Sequence, residues 1–249
     1  MAGLNDNVSI PIRTMVLFFL IDASGSMMGS KIGEVNSAIE EVIPELKDLD
    51  ESNADAKIEI AVLEFSSGAR WLTPNGPLEP ESFVWNAIDA SGVTDLGDAC
   101  MRLNEKLAIS NNGFMQRASG SFAPVVFLLS DGGPTDDYKS GLNQLKQNPW
   151  FKKAIKVALA IGSDADKSVL EEFTGSSEAV LETKNPAMLR KMIKFVSVRS
   201  AEVASKSANV GGVGVDSIES KQDAFIDELN EFKVEVAESA DIADDGDIW

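Results

Sequence analysis

The chain has 249 residues, 44% of them hydrophobic and 25% charged, which is enough for one large domain with a sizeable core. Its formal net charge of −18 repels phosphate backbones and anionic lipid, which weighs against nucleic-acid and membrane partners. It has no histidine and a single cysteine, Cys100, which excludes Ser-His-Asp and Cys-His catalysis, His-bound zinc and an internal disulfide.

A metal bound here must sit on oxygen ligands, so Mg²⁺, Mn²⁺ and Ca²⁺ are the candidates. The apolar run Met15 to Ile21 is too short for a membrane span and lacks a cleavage pattern. The expected location is the cytoplasm.

In chain order, Arg13 to Ile21 is nearly continuous apolar sequence, as in a strand covered on both faces. Lys31 to Leu49 carries Ile32, Val35, Ile39, Val42, Leu46 and Leu49 at helical spacing, and Pro44 is expected to kink or shorten that helix. Lys57 to Phe65 reads as a second strand, and Gly68 to Leu72 as a third paired with it in a hairpin. Phe83 to Ile88 is ambiguous. Asp95 to Ile109 reads as a helix with Cys100 on its apolar, core-facing side. Phe122 to Leu129 is a buried strand, Tyr138 to Gln147 a helix, Lys153 to Ile161 a strand and Asp166 to Phe173 a short helix. Val180 and Leu181 suggest a last strand, and Ala187 to Ser205 a final amphipathic helix. This order implies an α/β fold: a doubly wound, mostly parallel six-stranded sheet with one antiparallel edge strand and helices on both faces.

Ligands of such sheets gather at the carboxyl ends of strands. The first strand runs into Asp22-Ala-Ser24-Gly-Ser26, where a carboxylate and two hydroxyls alternate around a glycine. The fourth ends in Ser130-Asp131-Gly132-Gly133, and Ser91-Gly-Val-Thr94-Asp95 adds a hydroxyl before a helix. Asp22, Ser24, Ser26, Thr94 and Asp131 thus offer two carboxylates and three hydroxyls to a hard divalent cation, leaving it electrophilic toward an outside carboxylate. Met27, Met28, Asp95 and Gly132 border the ion and are the expected contact surface, with packing under the loop as the alternative for the two methionines. No lysine is marked as facing the cluster. Asp136 and Asp137 read as helix N-cap and first-turn charges, and Trp71, Trp85 and Trp150 as core or rim.

The Asp22-Ala-Ser24-Gly-Ser26 run resembles the DxSxS motif of von Willebrand factor A domains. Thr94 and Ser130-Asp131-Gly132 stand at the places of that family's threonine and second aspartate, so the set resembles a complete metal-ion-dependent adhesion site, from about Ile10 to Ala204. Within the family, Val125 to Asp137 is similar to bacterial TerY-like proteins of tellurite-resistance and stress operons. That resemblance implies a Rossmann-like fold, Mg²⁺-dependent protein binding, no enzymatic activity, and a Ser/Thr kinase and a PP2C-like phosphatase among the partners. Val93 and Asp95 depart from the usual TerY-like surroundings of the threonine.

Residues 1–208 are therefore expected to form the domain, and 209–249 an acidic linker and tail. The latter holds 12 acidic and 2 basic residues and an amphipathic stretch at 218–232. Its end, with Asp244, Asp245, Asp247 and Trp249, reads either as a solvated extension or as a docking motif for a partner or for the chain's own ion. Two other functions compete with protein capture. One is a metal-dependent phosphatase or phosphotransfer protein, against which Ser24 stands where a haloacid-dehalogenase-type enzyme needs a second aspartate. The other is a subunit whose ion only pins loops.

Overall fold

The computed structural model describes residues 12–53, 56–115, 121–183, 186–206 and 222–233. Six strands form one sheet: β1 (Arg13–Asp22), β2 (Ala56–Ser66), β3 (Gly68–Trp71), β4 (Val125–Ser130), β5 (Ile155–Ile161) and β6 (Val180–Thr183), in the order β3-β2-β1-β4-β5-β6. All neighbours are parallel except β2 and β3, which form the expected hairpin edge.

The helices are α1 (Ser30–Ser52), α2 (Leu96–Lys106), α3 (Tyr138–Leu145), α4 (Pro149–Lys153), α5 (Lys167–Thr174), α6 (Pro186–Lys206) and α7, residues 222–233. Alternation along β1 feeds both layers. Met15, Leu17, Phe19 and Ile21 pack with residues of α1, α6 and α7, while Val16, Phe18 and Leu20 pack with residues of α2, α3 and α5. This two-sided burial is why β1 and β4 read as unbroken apolar runs.

The helix expected from Asp95 to Ile109 spans Leu96–Lys106, and three other elements differ from the sequence expectation. Pro44 does not shorten α1, which continues to Ser52. Ile39, Val42 and Leu46 are buried on both sides of the proline, so packing holds the two halves in one helix. The strand expected from Lys153 begins at Ile155, because Pro149–Lys153 forms α4, started by Asn148 Oδ1 accepting from Trp150 N at 2.8 Å. The strand expected from Phe122 begins at Val125, although Phe122 N donates to Thr14 O at 2.9 Å just before it.

Part of the expected tail is built into the domain. Phe225 and Leu229 of α7 are fully buried in the core, and Phe232 stacks on Phe195 of α6 with centroids 4.1 Å apart. Gln222 reaches Lys156 of β5, accepting from its N at 3.0 Å and donating to its O at 3.2 Å. The assignments made to Asp244, Asp245, Asp247 and Trp249 lie outside the described residues.

Candidate metal centre

The chain leaves β1 toward β2 on one side, while β4 lies on the other side of β1. The β1/β4 boundary is therefore the switch point where a crevice opens at the strands' carboxyl ends. Register sets the residues there. Ile21 pairs with Leu129, so one step further places Asp22 opposite Ser130, and Ser130 Oγ donates to Asp22 Oδ2 at 2.6 Å. Ser130 Oγ also accepts from Gly132 N at 2.8 Å, bending the chain so that Asp131 follows at the crevice.

The Asp22 loop curls back on its own carboxylate. Ser24 N donates to Asp22 Oδ1 at 2.9 Å, and the Ser24 and Ser26 hydroxyls lie 3.0 Å apart. The Thr94 loop is stitched to both others. Ser91 N donates to Ala23 O at 2.7 Å and Gly25 N to Gly92 O at 3.0 Å. On the far side, Thr94 N donates to Thr135 Oγ1 at 3.0 Å and Thr135 N to Thr94 O at 2.8 Å. The three loops that carry Asp22, Ser24, Ser26, Thr94 and Asp131 are thus one hydrogen-bonded unit.

Asp22 is fully buried, Asp131 is 6% exposed, Ser24 and Thr94 are buried, and Ser26 is exposed, so the cluster is walled by protein and opens beside Ser26. Burial pushes the Asp22 carboxyl above the usual carboxylate range. Hydrogen bonds from Ser130 and Ser24 oppose that shift, and the charge of Asp131 adds to it. A buried carboxylate whose charge is disfavoured beside a second carboxylate is what a divalent cation would relieve. Among the described residues no three His, Cys, Asp or Glu side chains gather, so an ion here depends on the hydroxyls as well as the carboxylates. That oxygen-only set fits a hard cation.

The other residues expected near the ion divide. Met28 is 65% exposed beside the loop. Met27, expected as contact surface, is instead fully buried and packs in the core beneath the loop. Gly132 is a buried hinge rather than an open contact, since its φ is +74° and a Cβ there would meet Asp166 O at 2.4 Å. Asp95 is engaged by the sheet edge: its Oδ2 accepts from Gly68 N at 2.7 Å, next to Asp98 accepting from Ala69 N at 2.8 Å. Asp136 caps α2 from outside, accepting from Gly97 N and Asp98 N at 3.1 and 3.2 Å, and Asp137 caps α3. Cys100 is core, as expected.

Sequence reasoning missed Lys31. Its Nζ donates to Asp131 Oδ2 at 3.1 Å and lies 3.0 Å from Asp164 Oδ1, so a lysine does face the cluster. Thr135 and the bridging role of Ser130 were also not read.

The sequence model of the von Willebrand factor type A domain matches residues 17–194. The chain belongs to this family. Among curated relatives of this VWA chain, bovine inter-alpha-trypsin inhibitor heavy chain H4 is 28% identical over 169 residues, covering 63% of this chain and 17% of the relative. The mouse heavy chain H2 is 27% identical over 186 residues, 68% and 18% of the two lengths. The chain thus spans under a fifth of these relatives.

Among solved structures, a von Willebrand factor type A protein from Catenulispora acidiphila aligns with TM-score 0.55 at 18% identity, over 75% of this chain and 42% of that one. Proximal thread matrix protein 1 of the mussel byssus, solved with a zinc-occupied MIDAS motif, aligns with TM-score 0.55 at 17% identity, over 75% and 48%. These likenesses establish the VWA fold. No helix among the described residues is long and apolar enough to cross a membrane.

Proposed function

We propose that this VWA domain is a metal-dependent protein-interaction module. Asp22, Ser24, Ser26, Thr94 and Asp131 hold Mg²⁺, with Mn²⁺ or Ca²⁺ as substitutes, in a complete metal-ion-dependent adhesion site. An Asp or Glu of a partner protein fills the ion's open position. The observation that carries this reading is the joining of the three donor loops around a buried Asp22, with the Ser24 and Ser26 hydroxyls 3.0 Å apart beside it. The exposed side chains of Met28 and Val93 give the rim an apolar surface on which a partner can close around its carboxylate and exclude water.

On this reading the chain is a binder rather than an enzyme. Lys31 supplies a feature that a phosphotransfer pocket would use, but Asp22 is buried and engaged through both oxygens, which keeps it from reaching phosphorus as a nucleophile. The resemblance to TerY-like proteins supports a cytoplasmic scaffold in a bacterial stress or defence system, with a Ser/Thr kinase and a PP2C-like phosphatase as partners.

The test is calorimetry with Mg²⁺ and Mn²⁺ on the intact chain, together with partner capture from the native cell with and without EDTA. Asp22→Ala should abolish ion uptake and EDTA-sensitive capture, and Thr94→Ala should weaken capture while leaving the melting transition largely intact. Absence of ion uptake by the unaltered chain would refute the reading. Turnover of phosphate esters that depends on Asp22 would replace it with the enzymatic one.

A further inference from the structure

The metal cluster already holds a cation of its own. Lys31 stands in the first turn of α1, where the helix dipole disfavours a positive charge, so its position needs nearby anions. It has two: the buried Asp131 carboxylate at 3.1 Å and the Asp164 carboxylate, 71% exposed, at 3.0 Å. The seat is shaped for it. Gly162 has φ +95°, which disfavours a side chain, and a Cβ there would meet Lys31 Cε at 2.6 Å, Asp164 Oδ1 at 2.8 Å and Lys31 Nζ at 3.1 Å, so a larger residue would push the ion pair aside.

The lysine is not needed to join the loops it touches. Asp166 N already donates to Asp131 O at 2.7 Å, fastening the β5–α5 loop to the β4–α3 loop through the backbone. What Lys31 adds is charge. We propose that Lys31 is an internal competitor for the divalent ion. Its ammonium occupies Asp131 when the site is empty and shifts onto Asp164 alone when the ion takes that carboxylate, setting the ion's affinity below what the five ligands would give by themselves. This rests on the metal-site reading above. Asp164, at the surface, is the receiving end of the exchange, and its exposure makes the transfer cheap, since a solvated carboxylate needs little reorganisation to hold an ammonium.

The experiment is Mg²⁺ and Mn²⁺ calorimetry on the full chain carrying Lys31→Met, Lys31→Arg, Asp164→Asn, or Lys31→Met with Asp164→Asn, each with its melting curve. Competition predicts that Lys31→Met tightens the ion about tenfold, the effect of removing one charge-assisted contact from Asp131, while Lys31→Arg stays near the parent. Asp164→Asn should weaken it severalfold, because the ammonium then has nowhere else to go.

The double variant decides the matter. Competition keeps it nearly as tight as Lys31→Met alone, whereas a general charge effect returns it to the parent's affinity and overturns the proposal. Lys31→Met affinity equal to or weaker than the parent's would also overturn it, by showing the lysine to be a staple. Should the methionine variant fail to fold, Lys31→Gln serves in both comparisons. No ion uptake by the parent would defeat the metal-site reading itself, and this proposal with it; uptake by the parent without tightening defeats only the competition.

Discussion

Replacing Ser130 with alanine removes a single hydroxyl that two of the three loops share. Ser130 Oγ donates to the buried Asp22 carboxylate at 2.6 Å and accepts from Gly132 N at 2.8 Å, and Ser130 is itself buried. Losing the donor costs about 1.5–3 kcal/mol for a hydrogen bond to a buried charge, and stranding the Gly132 N–H adds about 1 kcal/mol. Together these predict a loss of roughly 2.5–4 kcal/mol and, for a domain of this size, a Tm lower by roughly 5–15 °C without metal. Ion binding should weaken about 10- to 100-fold, as for other groups that orient a metal ligand.

The control is Ser168→Ala. Ser168 Oγ donates to Asp166 at the same 2.6 Å, but in solvent, so its loss should cost under about 0.5 kcal/mol. Differential scanning calorimetry and isothermal titration read both quantities. A Ser130→Ala protein that melts with Ser168→Ala and binds Mg²⁺ like the parent would refute the argument that burial, not bond length, sets the value of this contact.

Two further outcomes are expected away from the site. Burial pushes Glu59 up to about 7, helped by Glu79 and Asp50, and its Oε2 has no hydrogen-bond partner. Its folded value exceeds its unfolded one, so the stability of the protonated form is complete below the ordinary carboxylate range and is lost as pH rises toward 7. Allowing for partial solvation, Glu59→Gln should raise stability by about 1–2 kcal/mol at pH 8 and leave it little changed at pH 4, as measured by urea midpoints. Equal effects at both pH values would contradict this. Phe225→Ala should cost about 3–5 kcal/mol, and by loosening α7 it should speed hydrogen exchange at the Lys156 amide held by Gln222. Unchanged exchange would show that Gln222 holds its place without the helix.

The strands of the sheet and the donor loops were legible in the sequence for one reason: both are written locally. A strand buried on two faces must be continuously apolar, and hydroxyls and carboxylates alternating around a glycine sit next to one another along the chain. What escaped was written across distance or masked by composition. Lys31 and Asp131 are 100 positions apart, and the available hint was a cation in a helix's first turn, where the dipole opposes it. Met27 looked like rim because it adjoins the serines, yet the tight turn Gly25–Met27 directs it inward. In α7 the acidic surroundings hid Phe225 and Leu229, which carry core packing despite a polar neighbourhood. Lys153 looked like the start of a strand, when Asn148-Pro149 had already begun a short helix.

The contact of Gln222 with β5 has a consequence for handling the protein. β6 begins its pairing opposite Ala158, so the peptide group of Lys156 faces the sheet's flank where no strand reaches it. Gln222 covers that gap with its amide, imitating a neighbouring strand with one side chain. A shortened protein ending before this glutamine would bare both an unsatisfied rung of the ladder and the apolar groove left by Phe225, a combination that invites other chains to zip on. A protein shortened in this way is therefore expected to self-associate more readily than the full chain.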